Sequence, residues 1–510
     1  MADRKGRRAF IRNMGLAGAA VAGAPILFTP GGRAVAQEGE DTIFIEINLR
    51  DQWDHVHFFV PPGVAQFSGS IHRGPSGDDL AFYAQPGEIR EVGGVYLTDD
   101  SFALAPHVDT IAMLEFGEAT RGPIHGHEAG NDIRSPGRRA NQMAGYMPIF
   151  ENDPTGDGGN WRTYSTVPTP ASLHNYWAKQ RSPGLRNGWA FKGYGRSNHT
   201  AYHFAAGLSG GELDRVRSKD ELFELFPLIT QDPSLLSSDE ESDALLRLLG
   251  RTDARYFARR GVAGGARDDH QVQLDELRAR LRVDMPIEIR LRLDEAETEF
   301  WSSGVPNQKC TDGDRDIRDC VEGRDTFKAQ IWETVAYAFK AVASGATRTV
   351  SIEFDFRDLH NQRPEEAIRT QAQQAARPLA RLIQRLKEVG LYDRTAIAIY
   401  TTDGSRGLKA GSYGNDGRNT VILAGGRVRG GYYGDIRLTD EGGRNGVVFH
   451  PPDESGNPIE ASYSFRSGEG RLESARIWRT VTAAAGIPQE LCDEFSGVTG
   501  ARPYSYMLRS

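Results

Sequence analysis

Residues 348–401 constrain the fold more than any other part of the sequence. An apolar, β-branched run, RTVSIEFDF at 348–356, predicts a strand, and TAIAIYT at 395–401 predicts a second buried strand. Between them, residues 364–389 carry apolar side chains at helical spacing and end at Gly390, as helices commonly do. Strand, helix, strand in this order predicts a parallel pair joined by a right-handed crossover. We therefore predict an α/β fold with a mostly parallel central sheet and helices on both faces.

Polar loops follow both of these strands. Asp358 and His360 come directly after the first strand, and Asp403 follows the second, ahead of another apolar run at 420–424. Ligands of open α/β sheets bind at the carboxyl ends of the strands. We therefore expect these side chains to share one functional edge of the sheet.

A strand near the start, DTIFIEINL at 41–49, ends in a loop that contains Asp54, His55 and His57. Carboxylate and imidazole groups at a strand end are typical ligands of zinc, iron or manganese. Two interpretations remain open at this position. Either Asp54 binds a metal, or it caps a turn while the two histidines pack beside Trp53 and Phe58.

A further polar loop follows the strand expected at 110–115. It contains His125, His127 and Glu128 within a stretch rich in glycine and charge. Two histidines separated by a glycine in so polar a loop are less often core residues. We therefore predict a functional role for His127.

The first 36 residues have the pattern of a twin-arginine export signal. Arg7 and Arg8 precede Phe10, a mildly apolar stretch rich in Ala and Gly follows, and small residues allow cleavage after Ala36. We expect the chain to engage the twin-arginine translocase and to be periplasmic or secreted. A fortuitous basic N-terminus is the alternative.

The expected mature chain, residues 37–510, is acidic. Removing six basic residues and one acidic residue from totals of 61 and 69 leaves a net charge of −13. A chain this acidic lacks the basic surface that nucleic-acid binding requires. No second apolar run reaches the length of a membrane span. We predict one α/β domain with a helical insertion at about 210–345, where apolar side chains recur at helical spacing.

Two of the three cysteines, Cys310 and Cys320, bracket a short acidic loop, and Cys492 lies far along the chain. In an oxidising compartment we expect the first two to form a local disulfide. Separate thiols are the alternative.

Several of these stretches together resemble a family of twin-arginine-exported bacterial proteins of unknown function within the alkaline phosphatase/sulfatase superfamily. The run GLYDRTAIAIYTTDGSRG resembles the family's LLDDTLVVVMTEFGRTP, and LAGGRVRGG at 423–431 resembles its LLAGGGIKGG. GHEAGND at 126–132 resembles its SHFDAQD, and the sequence from Asp358 to His360 resembles its Asp-x-His element. The resemblance extends over most of the mature chain.

The resemblance implies an alkaline phosphatase-like fold and a two-metal site that hydrolyses a small anionic phosphate or sulfate ester. It implies divalent zinc, manganese or iron as the cofactor. Carried over position by position, the implied metal ligands are Asp54, His127, Asp358, His360 and Asp403. Arg406 would contact the oxygens of the anionic substrate, although a surface arginine is an equally simple interpretation.

The sequence departs from the family pattern in the parts that perform the chemistry. The family's histidine before LLAGG is absent, and only Asp416 offers an oxygen ligand there. Gly126 stands where the superfamily has a Ser or Thr nucleophile, and residues 122–134 contain no hydroxyl side chain.

Two functions from different classes remain. The first is a metal-dependent hydrolase that uses activated water, and the second is a non-catalytic periplasmic binding or assembly module on the same fold. A redox enzyme with an organic cofactor has little support, because residues 404–414 lack a dinucleotide fingerprint.

Overall fold

The structure is a computed structural model. The residues that it describes are 43–50, 54–117, 189–191, 214–216, 292–309, 316, 329–343, 349–355, 359, 363–401, 408–410, 418–460, 474–486 and 500–509.

Eight described strands form one sheet. They are β1 (Ile43–Arg50), β4 (Ile111–Gly117), β5 (Trp189–Phe191), β6 (Asp214–Val216), β7 (Thr349–Asp355), β8 (Thr395–Thr401), β9 (Arg418–Gly425) and β10 (Gly431–Tyr433). Two antiparallel pairs lie outside it: β2 (Ile89–Val92) with β3 (Val95–Thr98), and β11 (Asp435–Glu441) with β12 (Arg444–His450).

The described helices are α1 (Pro62–Ala65), α2 (Glu295–Ser302), α3 (Ile331–Ala343), α4 (Glu365–Glu388) and α5 (Ser474–Ala484). Short 3-10 helices occur at His55–His57, Pro86–Glu88, Phe102–Thr110, Tyr392–Arg394 and Ser505–Met507. No helix in the described part of the chain combines the length and apolar character needed to cross a bilayer.

The sheet is mostly parallel, as the sequence predicts. Its strand order is β10-β4-β9-β8-β1-β7-β5-β6, and β9 is the one described strand of this sheet that runs antiparallel to its neighbours. β1 lies between β7 and β8 and is parallel to both, with Ile47 opposite Ile352 on one side and Ile399 on the other. The chain from β7 through α4 to β8 therefore crosses over β1, in agreement with the predicted parallel connection.

Alternating residues along the strands supply two apolar cores. On β1, Ile45 and Ile47 pack into the core that α3 and α4 cover, whereas Phe44 joins the opposite core that contains Ile477 of α5. Successive side chains of a strand point to opposite faces, so β1 contributes apolar residues to both cores. Helices on both faces of the sheet confirm the predicted layered architecture.

Helix α4 begins and ends where its sequence indicates. Pro364 precedes its first turn, which carries Glu365 and Glu366, and Gly390 follows with a φ of +69°. Acidic residues are favourable near the positive end of the helix dipole, and glycine adopts a left-handed conformation without steric cost. Only the short 3-10 helix Tyr392–Arg394 follows before β8, so the end of α4 at Gly390 determines where the second strand starts.

One part of the predicted helical insertion is wrong. Helical spacing assigned residues 214–216 to a helix, but they form β6, which pairs with β5 at the edge of the sheet. The backbone hydrogen bonds of so short a segment are made to a neighbouring strand. The periodicity of the local sequence gives no information about a partner that is distant along the chain. Near the end of the expected insertion, Ile331–Ala343 form the helix α3, and most of the remaining insertion lies outside the described residues.

Candidate functional site

Four strands deliver their following loops to one edge of the sheet. β1, β7 and β8 are mutually parallel, and β4 runs in the same direction because β9, which lies between β4 and β8, is antiparallel to both. The carboxyl ends of β1, β4, β7 and β8 therefore share one side of the sheet. The strand directions agree with the common edge that the sequence predicts, whereas Asp358, His360 and Asp403 lie outside the described residues, so that their meeting there stays a prediction.

Of the five predicted metal ligands, Asp54 is the one that lies within the described residues. Its Oδ1 accepts a hydrogen bond from the backbone N–H of Val56 at 3.3 Å and so caps the 3-10 helix His55–His57. The turn-capping role that the sequence left open is thus confirmed. Its Oδ2 forms a buried ion pair with Nη2 of Arg363.

Arg363 connects several segments at this edge. Its Nη1 donates to the carbonyl of Lys409 at 3.0 Å, and its backbone N–H donates to the carbonyl of Pro75 at 3.0 Å. The hydroxyl of Tyr83 donates to the carbonyl of Arg363 at 2.7 Å. Arg363 thereby joins the segment after β7 to the segments after β1 and β8.

His57 packs beside this ion pair. Its Nε2 accepts a hydrogen bond from the backbone N–H of Tyr83 at 3.1 Å, so the proton of the neutral ring lies on Nδ1. That Nδ1 is 3.8 Å from Oδ1 of Asp54. The ring also lies against Phe82, with the two centroids 5.1 Å apart. The sequence predicts Trp53 and Phe58 as the neighbours of this histidine, but the ring contacts are with Phe82 and Tyr83, which a distant loop supplies. Trp53 lies outside the described residues.

His55 links the same loop to β4. Its Nε2 lies 2.8 Å from Oε2 of Glu115, close enough for an ion pair but without hydrogen-bond alignment. The same oxygen accepts a hydrogen bond from the Thr420 hydroxyl at 3.3 Å. His55 and Glu115 are both fully buried, and Nδ1 of His55 has no hydrogen-bond partner among the described residues.

Asp54 carries its negative charge in spite of its burial. Removal from water would raise the pKa of its carboxyl, but the Arg363 guanidinium and the neighbouring His57 together outweigh this effect, and the pKa lies well below the ordinary 3.8. A buried carboxylate is stable only when it is paired. The charge of Asp54 is balanced within the protein.

The chemistry of the remaining predicted ligands suits a divalent metal. Carboxylate oxygens and imidazole nitrogens together bind zinc, manganese or iron. Within the described residues, no three His, Cys, Asp or Glu side chains are placed to hold a metal ion. The predicted ligands His127, Asp358, His360 and Asp403, together with Arg406 and the cysteines Cys310 and Cys320, lie outside the described residues. Their roles stay predictions.

Two residues of this cluster, Arg363 and Glu115, were not predicted from the sequence. Arg363 precedes the proline at the start of α4 and pairs with a carboxylate 309 positions earlier, a separation that leaves no local pattern. Glu115 did leave a signal, because it is a charged residue inside an otherwise apolar strand. A charge in that setting requires a buried partner.

Fold and site together define an α/β protein with a mostly parallel sheet and a buried ionic cluster at its carboxyl edge. No protein-family model matches the sequence, and neither does any curated protein.

Some solved structures are distantly similar. The PsFucS1 sulfatase from Pseudoalteromonas sp. is 11% identical, with 94% of this chain and 75% of that chain covered and a TM-score of 0.36. Ps i-CgsB in complex with k-i-k-neocarrahexaose is 12% identical, with coverage of 90% and 75% and a TM-score of 0.35. The lipoteichoic acid synthase LtaP from Listeria monocytogenes is 10% identical, with coverage of 92% and 94% and a TM-score of 0.27. Similarity this distant assigns no chemistry to the present chain.

Proposed function

We propose that this protein is an exported, divalent-metal-dependent hydrolase of phosphate or sulfate esters in the alkaline phosphatase/sulfatase superfamily. The observation that carries the proposal is the common edge formed by the carboxyl ends of β1, β4, β7 and β8. The loops that begin there contain the predicted ligands His127, Asp358, His360 and Asp403, with Asp54 at the same edge.

Each group has a role that follows from its chemistry. A divalent ion held by carboxylates and imidazoles would stabilise the charge that develops on an ester's oxygens and lower the pKa of water. Arg406 would orient the anionic group through paired N–H donors. Because residues 122–134 carry no hydroxyl side chain, we propose direct attack by water rather than a covalent enzyme intermediate.

A second candidate is a non-catalytic binding or assembly module on the same fold. It is favoured by the internal pairing of Asp54, which gives the carboxylate a structural role at the edge where catalysis would occur. It is also favoured by the missing histidine before LAGG. Catalysis and its dependence on metal separate the two candidates.

The test measures hydrolysis of p-nitrophenyl phosphate and p-nitrophenyl sulfate by the purified mature protein, with and without EDTA. We expect turnover of at least one ester, which EDTA abolishes and added zinc or manganese restores. The Asp358→Ala variant should lose roughly 100-fold or more in rate, since a ligand is removed. The matched Arg444→Met variant should retain activity, because this exposed arginine pairs with Asp78 at the surface. Absence of turnover under all metal conditions would favour the binding module.

A further inference from the structure

The segment after β1 offers little to a metal ion, because its best ligand atoms already bind protein groups. Oδ2 of Asp54 contacts the Arg363 guanidinium, and Oδ1 accepts the N–H of Val56 while facing the protonated Nδ1 of His57. The other nitrogen of His57 accepts the N–H of Tyr83. Asp54 and His57 therefore direct their lone pairs at donors that belong to the fold.

Charge reinforces this geometry. A divalent cation on the oxygens of Asp54 would lie beside the guanidinium of Arg363, and two cations in a buried environment repel strongly. Arg363 is fully buried, and its Nη1 is also bonded to the carbonyl of Lys409. Moving the guanidinium aside would break this buried ion pair and the hydrogen bond to Lys409.

We infer that Arg363, and not a metal ion, is the counter-cation of Asp54, and that any metal is held without Asp54. Arg363 is thus a positioning residue. It fixes the first loop and carries the segment that follows Asp358 and His360 to the segment that follows β8. The inference removes Asp54 from the predicted metal ligands and leaves His127, Asp358, His360 and Asp403, which follow β4, β7 and β8 in the sequence. This part of the inference rests on the proposed function.

The test compares the mature protein with the variants Asp54→Asn, Arg363→Met, their double variant and Asp358→Ala. Two quantities are measured: the zinc or manganese bound after reconstitution, in equivalents per chain, and Tm in EDTA and in excess manganese. We expect Asp54→Asn to bind as much metal as the parent protein and Asp358→Ala to lose it. In EDTA each single charge removal should lower Tm, and the double variant should melt above the Arg363→Met variant, because it buries no unpaired charge.

A matched control is Asp100→Asn. Asp100 is also a buried carboxylate paired with an arginine, through the 3.1 Å contact from Arg369. Its replacement should lower Tm without any change in metal content. If Asp54→Asn fails to fold, metal binding is measured on the double variant, which removes both buried charges.

The outcomes separate the inference from the proposed function. Loss of metal from both Asp54→Asn and the double variant, with retention by Asp100→Asn, would overturn the inference and leave the hydrolase intact. If the parent protein binds no metal, the hydrolase proposal fails. The inference is then decided by whether the decreases in Tm of Asp54→Asn and Arg363→Met in EDTA add up to that of the double variant. A double variant whose decrease in Tm is smaller than the sum of the two single decreases would support the Asp54–Arg363 pairing, and additive decreases would overturn it.

Discussion

At the scale of single residues, the glycines of LAGGRVRGG have a structural explanation. A Cβ on Gly430 would lie 1.9 Å from the carbonyl oxygen of Val108, and one on Gly426 would lie 2.4 Å from the Cα of Asp393. Real Cβ atoms do not approach backbone this closely. The part of the sequence with the most specific family resemblance therefore brings backbone segments together and does not by itself indicate a ligand.

The Gly430→Ala substitution should destabilise the protein by about 1–3 kcal/mol, because the added Cβ would overlap the backbone of Val108 and Asp109 and the two segments must move apart. The free energy of unfolding from denaturant titration measures this effect. Gly87→Ala is the matched control, since a Cβ there meets nothing within 4 Å, and its effect should be small. Equal effects of the two substitutions would contradict the close-approach explanation.

At the scale of secondary structure elements, strands and helices with strong periodicity were predictable. β8 has the predicted bounds, and α4 agrees within a residue at each end, because apolar repeats and a terminal glycine determine both locally. The antiparallel direction of β9 and the edge strand β6 were not predictable, since partners distant in sequence determine them. The same holds for the candidate site. The sequence predicts Asp54 at the edge of the sheet, but its contact with Arg363 is known only from the fold.

Helix α4 also contacts the 3-10 helix Phe102–Thr110 through a pair of basic groups. Nζ of Lys387 lies 3.2 Å from Nδ1 of His107. Burial, and then the positive charge of Lys387, lower the pKa of His107 below its ordinary 6.5. The folded protein therefore holds this imidazole neutral at a pH where the unfolded chain binds a proton.

This contact predicts a pH dependence of stability. Because the pKa of His107 is depressed in the folded state, its stabilising contribution is present above pH 6.5 and decreases as the pH falls through that value toward the folded pKa. Denaturant unfolding at pH 8 and pH 5.5 should show a smaller pH dependence for His107→Gln than for the parent protein. Lys387→Met should reduce the pH dependence in part, since burial is the larger cause. An unchanged pH dependence in His107→Gln would contradict the assignment.

At the scale of the whole molecule, the proposed function requires the protein to leave the cytoplasm. The twin arginines Arg7 and Arg8 belong to a segment outside the described residues, so the export route stays a prediction. Cell fractionation in a host with a twin-arginine translocase measures it. Replacing both arginines by lysine should retain the protein in the cytoplasm, whereas Arg33→Lys, near the expected cleavage site, should be exported normally. Export of the double-lysine variant at the parental level would contradict a twin-arginine route.

The central claim is that the carboxyl edge of the sheet holds a divalent metal through the loops after β4, β7 and β8. The most direct test is elemental analysis of protein purified from the periplasm, combined with Tm measured on addition of zinc or manganese. We predict about one equivalent or more of transition metal per chain, a Tm that rises with added metal, and loss of both in Asp358→Ala. Less than roughly a tenth of an equivalent, with no change in Tm on metal addition, would contradict the account.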